Sequence, residues 1–162
     1  MKAAIIIAST SGYKGNREDK SGPIIQRMLK QVGFETKFLK VLPDDRTILS
    51  EVMKKLSDNH LVDLVITCGG TGFSKDDCTP EATLDIVDRQ IPGIPEAMRA
   101  YSMRFTKRAM LTRSAAGIRK DTMIVNLPGS PKGAKECLEY ILPELVHGVE
   151  VLTGRAAECA RE

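Results

Sequence analysis

Residues 63–83 read DLVITCGGTGFSKDDCTPEAT, and this stretch decides the fold. Its opening run, DLVITC, is short, apolar and rich in β-branched residues, which predicts a strand buried on both faces as in a parallel sheet. The run empties into Gly69, Gly70 and Gly72. A helix start follows, with Thr79 read as its cap and Pro80 as its first position. Glycines let a ligand approach the main chain, whose free N–H groups can then cradle phosphate. A tight turn uses glycines too, so the motif alone leaves both readings open. The dinucleotide pattern G-x-G-x-x-G fails because Lys75 stands where its third glycine belongs, and no G-K-[ST] triplet exists.

Outward from this loop, apolar runs alternate with helical stripes. AAIIIA (3–8) predicts another strand buried on both faces. Ser21 is read as a cap and Pro23 as part of the first turn of a helix carrying Ile24, Ile25, Met28, Leu29 and Val32 on one stripe, ended by Gly33. FETKFLKVL (34–42) alternates as an outer strand, and Ile48, Leu49, Val52, Met53 and Leu56 mark the next helix. A turn and helix are expected over 91–105, and short strands over AMLT (109–112) and TMIVNL (122–127). The last helix has Cys137, Leu138, Ile141, Leu142, Leu145, Val146 and Val149 on its stripe, with Pro143 expected to kink or divide it. The tail 155–162 is expected to fray. The order β-α-β-α-β-α predicts a single α/β domain over 1–162: a three-layer fold whose mostly parallel sheet has helices on both faces. Ligands in such folds bind at the carboxyl ends of the strands. The loops 9–22, 68–80 and 126–131 belong there.

Several residues in these loops can carry chemistry. Asp76 and Asp77 precede one helix, and Asp44 and Asp45 another. Each pair is either favourable charge at a helix start, worth about 0.3–1 kcal/mol, or a source of Mg²⁺ ligands, since Mg²⁺ usually takes one or two carboxylates plus substrate phosphates. Spacing favours the first reading, whereas the shared edge with the glycine loop favours the second. Ser114, Gly117, Arg119 and Lys120 suit either an anionic pocket or a solvated charged turn. Asn126-Leu127-Pro128-Gly129-Ser130-Pro131 ends a strand and starts a helix, with Ser130 as cap.

Composition removes other classes. The 162 residues suit one domain, and a net charge of +3 gives no argument for nucleic acid. Trp is absent and aromatics are 4%, so no platform for stacking single-stranded nucleic acid is expected. No stretch reaches the roughly 20 apolar residues of a membrane span, and the run after Lys2 is too short for a signal peptide. The four cysteines, Cys68, Cys78, Cys137 and Cys159, form no C-x-x-C pair. Reduced thiols in a cytoplasmic protein are expected, and a zinc site is not.

Taken together, GGTG, D-x-T-P-E-A-T and N-L-P-G-x-P resemble the MogA/MoaB family of molybdopterin adenylyltransferases over nearly the whole chain. The resemblance implies ATP and molybdopterin as substrates, Mg²⁺ with the ATP, transfer of AMP to molybdopterin's terminal phosphate and release of pyrophosphate. It implies Asp44 and Asp77 as catalytic and Mg²⁺-handling residues. It implies Ser11, Gly69, Gly70, Thr71, Gly72, Ser114, Gly117, Asn126, Pro128, Gly129 and Ser130 as the substrate- and nucleotide-binding set. It further implies a homotrimer, with IPGIPEAM (91–98) a candidate interface segment, and a MoeA-type molybdenum insertase downstream. Ser11-Gly12 departs from the family's S-D in the first loop, whereas Asp19, Ser21 and Gly22 keep its D-x-S-G. The alternative is a family member that binds molybdopterin without catalysis.

Overall fold

The computed structural model describes residues 1–156. It contains one six-stranded sheet in the order β2-β1-β3-β6-β5-β4. The strands are β1 (Lys2–Ala8), β2 (Glu35–Leu42), β3 (Leu64–Cys68), β4 (Arg89–Gln90), β5 (Ala116–Arg119) and β6 (Thr122–Leu127). The first four in spatial order run parallel, and β5 and β4 are antiparallel additions at one edge. The helices are α1 (Thr10–Tyr13), α2 (Ser21–Gln31), α3 (Arg46–Asp58), α4 (Thr79–Leu84), α5 (Gly93–Ser102) and α6 (Pro131–Leu152).

The three layers follow from the two faces of β1. Ala3, Ile5 and Ile7 pack in one core with Ile25 and Leu29 of α2, Met98 of α5 and the stripe of α6 from Ala134 to Val149. Ala4, Ile6 and Ala8 point the other way, onto Leu49, Met53 and Leu56 of α3 and Ala82 of α4. Alternation along one apolar strand therefore feeds both cores, as a strand covered on both sides must. The half-buried pattern of β2 fits its place at the edge.

The expected elements recur with several differences. AMLT (109–112) is not a strand: Lys107–Leu111 is a 3₁₀ helix capped by the Thr106 hydroxyl. The strand lies further on, at β5, inside the segment read as a loop or pocket, and it hydrogen-bonds antiparallel to β6. Ser21 does not cap α2. It is the helix's first residue, and Asp19 Oδ1 accepts the N–H groups of Ser21 and Gly22, each at 2.9 Å. Pro143 does not divide α6, which runs unbroken through it. Finally, Arg155 does not fray: it pairs with Asp63 at 3.1 and 3.2 Å. Residues 157–162 of the tail lie outside the described residues.

Register positions the site. Ala8 pairs with Leu42, Ile7 with Cys68, and Cys68 with Leu127, so the four parallel strands end almost flush. The segments leaving them emerge side by side at the carboxyl edge, where a doubly wound sheet offers its crevice.

Candidate active site

A cleft of about 760 Å³ opens at this edge. Its walls come from the segments after β1 (Ser9 to Gly12 and Arg17 to Ser21), after β2 (Asp44), after β3 (Gly69, Gly70 and Asp77) and after β6 (Gly129 to Pro131). Of the expected site residues, Ser11, Asp44, Gly69, Gly70, Asp77, Gly129 and Ser130 line it.

The two acidic pairs divide in the same way. Asp45 caps α3, its Oδ1 accepting the Ile48 N–H at 2.9 Å, which leaves Asp44 to face the cleft. Asp44 Oδ2 accepts the Thr10 N–H at 2.8 Å and the Thr10 hydroxyl at 3.0 Å. Asp76 is exposed, whereas Asp77 faces the cleft and its Oδ2 accepts the Ser74 N–H at 2.9 Å.

Gly69 and Gly70 form the floor. Both have positive φ, +105° and +64°. A Cβ on Gly69 would lie 2.3 Å from the Ala8 carbonyl oxygen, and one on Gly70 would lie 2.3 Å from Thr79 Oγ1 and 3.1 Å from Asp44 Oδ1. Only glycine brings these groups against the main chain. Gly72 is constrained differently: its φ is ordinary, and a Cβ there would meet Asp77 Oδ2 at 2.8 Å. Thr79 opens α4 without capping it. Its hydroxyl is buried beside Gly70 with no hydrogen-bond partner among the described residues.

The remaining expected residues lie behind or away from the cleft. Asn126 is fully buried. Its Oδ1 accepts the Ala115 N–H at 3.1 Å, and its Nδ2 donates to Thr67 Oγ1 at 2.9 Å and Thr83 Oγ1 at 2.8 Å. Ser114 is buried with its hydroxyl 3.0 Å from Thr112 Oγ1, and Thr112 Oγ1 donates to Thr71 Oγ1 at 3.4 Å. The Pro128 carbonyl accepts the Cys68 thiol at 3.1 Å. Burial pushes that thiol up to about 12. Gly117 sits within β5, where a Cβ would be 2.6 Å from Val87 and 2.8 Å from the Arg89 carbonyl, so packing explains it. Arg119 and Lys120 form no anion pocket at the cleft. Arg119 pairs with Asp58, both contacts at 2.8 Å, and this raises the guanidinium pKa and lowers that of the carboxyl; Lys120 is the left-handed turn residue between β5 and β6.

The basic side chains at the cleft are instead Arg17 and Lys20, from the first loop. Reading the sequence missed them, and it missed Thr10 and Arg113. Arg113 Nε donates to the Gly72 carbonyl at 2.7 Å and its NH2 to the Asp77 carbonyl at 2.9 Å, while NH1 pairs with Glu81. The Gly12 departure is accommodated tightly: a Cβ there would lie 3.1 Å from Val41 Cγ1.

Among the described residues no group of three or more His, Cys, Asp or Glu side chains could hold a metal ion. Asp44 and Asp77 at one cleft fit the sparser set that Mg²⁺ uses when substrate phosphates complete its shell.

A mostly parallel sheet with the Gly69–Gly70 floor, four acidic side chains (Glu18, Asp19, Asp44 and Asp77) and two basic ones around a crevice at its carboxyl edge has the arrangement of a ligand-binding α/β domain. The chain belongs to the family described as a probable molybdopterin binding domain, whose model matches residues 4–147. It is 37% identical over 152 residues to a molybdopterin adenylyltransferase of Helicobacter pylori, covering 93% of this chain and 86% of the relative. It is 35% identical to a molybdopterin adenylyltransferase of Escherichia coli K12, covering 92% and 80%. The crystal structure of the molybdopterin biosynthesis enzyme MoaB from Thermus thermophilus superposes with a TM-score of 0.89 at 40% identity, covering 97% of this chain and 99% of that one.

Proposed function

We propose that this chain is a molybdopterin adenylyltransferase of molybdenum-cofactor synthesis, using ATP and releasing pyrophosphate. One observation carries the reading: Asp44 and Asp77, from separate segments, meet the Gly69–Gly70 floor in a single cleft of a molybdopterin-binding family member.

A terminal phosphate oxygen of molybdopterin attacks the α-phosphorus of ATP. The new P–O bond forms as the bond to the β-phosphate oxygen breaks, and the electron pair leaves with pyrophosphate. The nucleophile is largely ionised at neutral pH, because a phosphate monoester's second pKa is about 6, so no strong base is needed. Positioning and charge neutralisation do the rest. The side chains of Arg17 and Lys20 and the N-terminus of α6 at Ser130 are the donors offered to phosphate oxygens, whereas the Gly69 N–H is taken by the Leu127 carbonyl at 3.2 Å. Asp44 and Asp77 would hold Mg²⁺, which when bound neutralises charge on the ATP phosphates. Asp44 is already oriented by Thr10, and Asp77 by Ser74.

The test is ³¹P detection of pyrophosphate release from ATP that depends on added molybdopterin. Release only when both are present supports the reading. Molybdopterin binding without release indicates the non-catalytic alternative.

We also infer a homotrimer. Ile91, Ile94 and Ala97 line an apolar groove with Tyr140 and Ile141, and Tyr140 is 49% exposed in the single chain. A sedimentation profile of a clean monomer at micromolar concentration would overturn this. A cytoplasmic location and hand-over to a MoeA-type insertase belong to the same reading; no helix among the described residues is long and apolar enough to cross a membrane.

A further inference from the structure

We propose that Arg113 is a positioning residue for Asp77, an inference that rests on the adenylyl-transfer reading of the cleft. Arg113 lies between the 3₁₀ helix and β5, forty-one residues beyond Gly72 in sequence. It nevertheless fastens both ends of the loop that carries Asp77. Its own N–H donates to the Thr71 carbonyl at 2.9 Å. Its guanidinium donates to the Gly72 carbonyl at 2.7 Å and to the Asp77 carbonyl at 2.9 Å. The third arm pairs with Glu81 in the first turn of α4, so the loop is tied to the helix that follows it.

The planar fork is what this task needs. A guanidinium presents donors in fixed directions, so it can span two carbonyls and a carboxylate at once, whereas an ammonium is a single point. The loop has few other restraints. Phe73, Ser74, Lys75 and Asp76 are exposed, and its internal bonds join only Ser74 and Asp77: Ser74 N–H to Asp77 Oδ2, and Asp77 N–H to the Ser74 carbonyl. Freed from Arg113, the segment can shift as a unit and carry the Asp77 carboxylate away from the Gly69–Gly70 floor. A displacement of about 1 Å at a reacting centre costs on the order of 100-fold in rate. Arg113 acts without touching substrate: it does not line the cleft.

The experiment compares wild type, Arg113→Lys, Arg113→Met, Asp77→Asn and the double variant Arg113→Met/Asp77→Asn. In the pyrophosphate assay, Arg113→Met should lower kcat on the order of 100-fold with little change in KM for molybdopterin. Arg113→Lys should fall between it and wild type. The double variant should be barely slower than Asp77→Asn, because both changes act through one carboxylate. A double loss equal to the product of the single losses overturns the proposal, as does an Arg113→Met loss carried by KM. If Arg113→Met does not fold, Arg113→Lys takes its place in the cycle. Amide exchange gives a readout free of turnover: Ser74 and Asp77 should exchange on the order of 10-fold faster in Arg113→Lys than in wild type, and unchanged rates overturn the proposal. A wild-type chain without turnover defeats the adenylyl-transfer reading instead, and exchange then decides whether Arg113 holds the loop.

Discussion

Thr10 and Asp44 clasp each other across the ends of two strands. Asp44 Oδ2 accepts both the N–H and the hydroxyl of Thr10, at 2.8 and 3.0 Å, and Thr10 Oγ1 accepts the Asp44 N–H at 3.0 Å. One side chain of each residue thus satisfies the backbone of the other. The loop after β1 and the loop after β2 are fixed together at the point where the carboxylate faces the cleft.

Removing the hydroxyl tests that clasp. Thr10→Val keeps the shape, loses the bond to Asp44 and strands the Asp44 N–H. It should cost about 1–3 kcal/mol in denaturant unfolding and slow adenylyl transfer, while Thr10→Ser should keep both near wild type. Equal behaviour of the two variants would show that the hydroxyl is idle.

Asp77→Asn and Asp76→Asn separate chemistry from helix-end charge. Both remove one charge before α4, whose cap position, Cys78, makes no side-chain cap bond. As helix-end charges each is worth about 0.3–1 kcal/mol, so melting should shift little in either variant. Turnover should collapse only in Asp77→Asn, because Asp76 is exposed and does not line the cleft. Matching rates at saturating Mg²⁺ and ATP would remove Asp77 from the catalytic role.

Gly69→Ala and Gly72→Ala should differ in kind. At Gly69 a methyl group meets the Ala8 backbone at 2.3 Å from a positive-φ residue, so backbone must move. Strain of about 1–3 kcal/mol and a lower Tm are expected. At Gly72 the methyl meets only the Asp77 side chain, at 2.8 Å, which can turn aside. The fold should then survive with reduced turnover. Calorimetric melting beside the pyrophosphate assay checks both.

Cys68 should resist alkylation at neutral pH in the folded protein. Its thiol is buried and pushed up to about 12 from an ordinary value of 9.0. The folded state holds the proton where the unfolded state releases it. Stability therefore falls as pH rises above about 9, continuing toward the folded value. Cys68→Ala should flatten that alkaline decline. Rapid labelling of Cys68 by iodoacetamide at pH 7, read by mass spectrometry, would contradict the burial.

The parts of the fold readable from sequence are those where local pattern and tertiary role agree. The runs 3–8, 64–68 and 122–127 are apolar because both faces of each strand are covered, and the spacing in α2, α3 and α6 repeats because one stripe faces a core. β5 was hidden because Ala116 and Gly117 are poor strand formers; its pairing with β6 makes it a strand. AMLT misled in the opposite direction: of its four residues only Thr112 favours a strand, and Lys107–Leu111 forms a 3₁₀ helix instead. In the candidate site, Asp44 and the glycines follow a strand closely and Asp77 stands just ahead of α4, so their places at the carboxyl edge could be read locally. Arg113 could not, since its position depends on contacts with residues distant in sequence; Arg17 and Lys20 lie in the 9–22 loop expected at that edge, but no motif there marks them. Asn126, expected in the ligand loop, is buried, and its polar side chain within an apolar strand holds Thr67, Thr83 and Ala115 together inside the protein.

The strand order also bears on how the chain is made. β3 lies between β1 and β6, and among the described residues β6 is the last strand to be synthesised. Until it docks, Leu64–Cys68 is a bare sheet edge with every side chain apolar except Thr67, a template for wrong pairing. The half-synthesised polypeptide is therefore the sticky form, and chaperone holdases have their greatest opportunity in that interval. The cleft does not exist in any partial product, because its last wall is Gly129 to Pro131. A ligand of the cleft can reward correct folding only after that last wall is in place, so it cannot template the early pairing of β1 with β2 and β3.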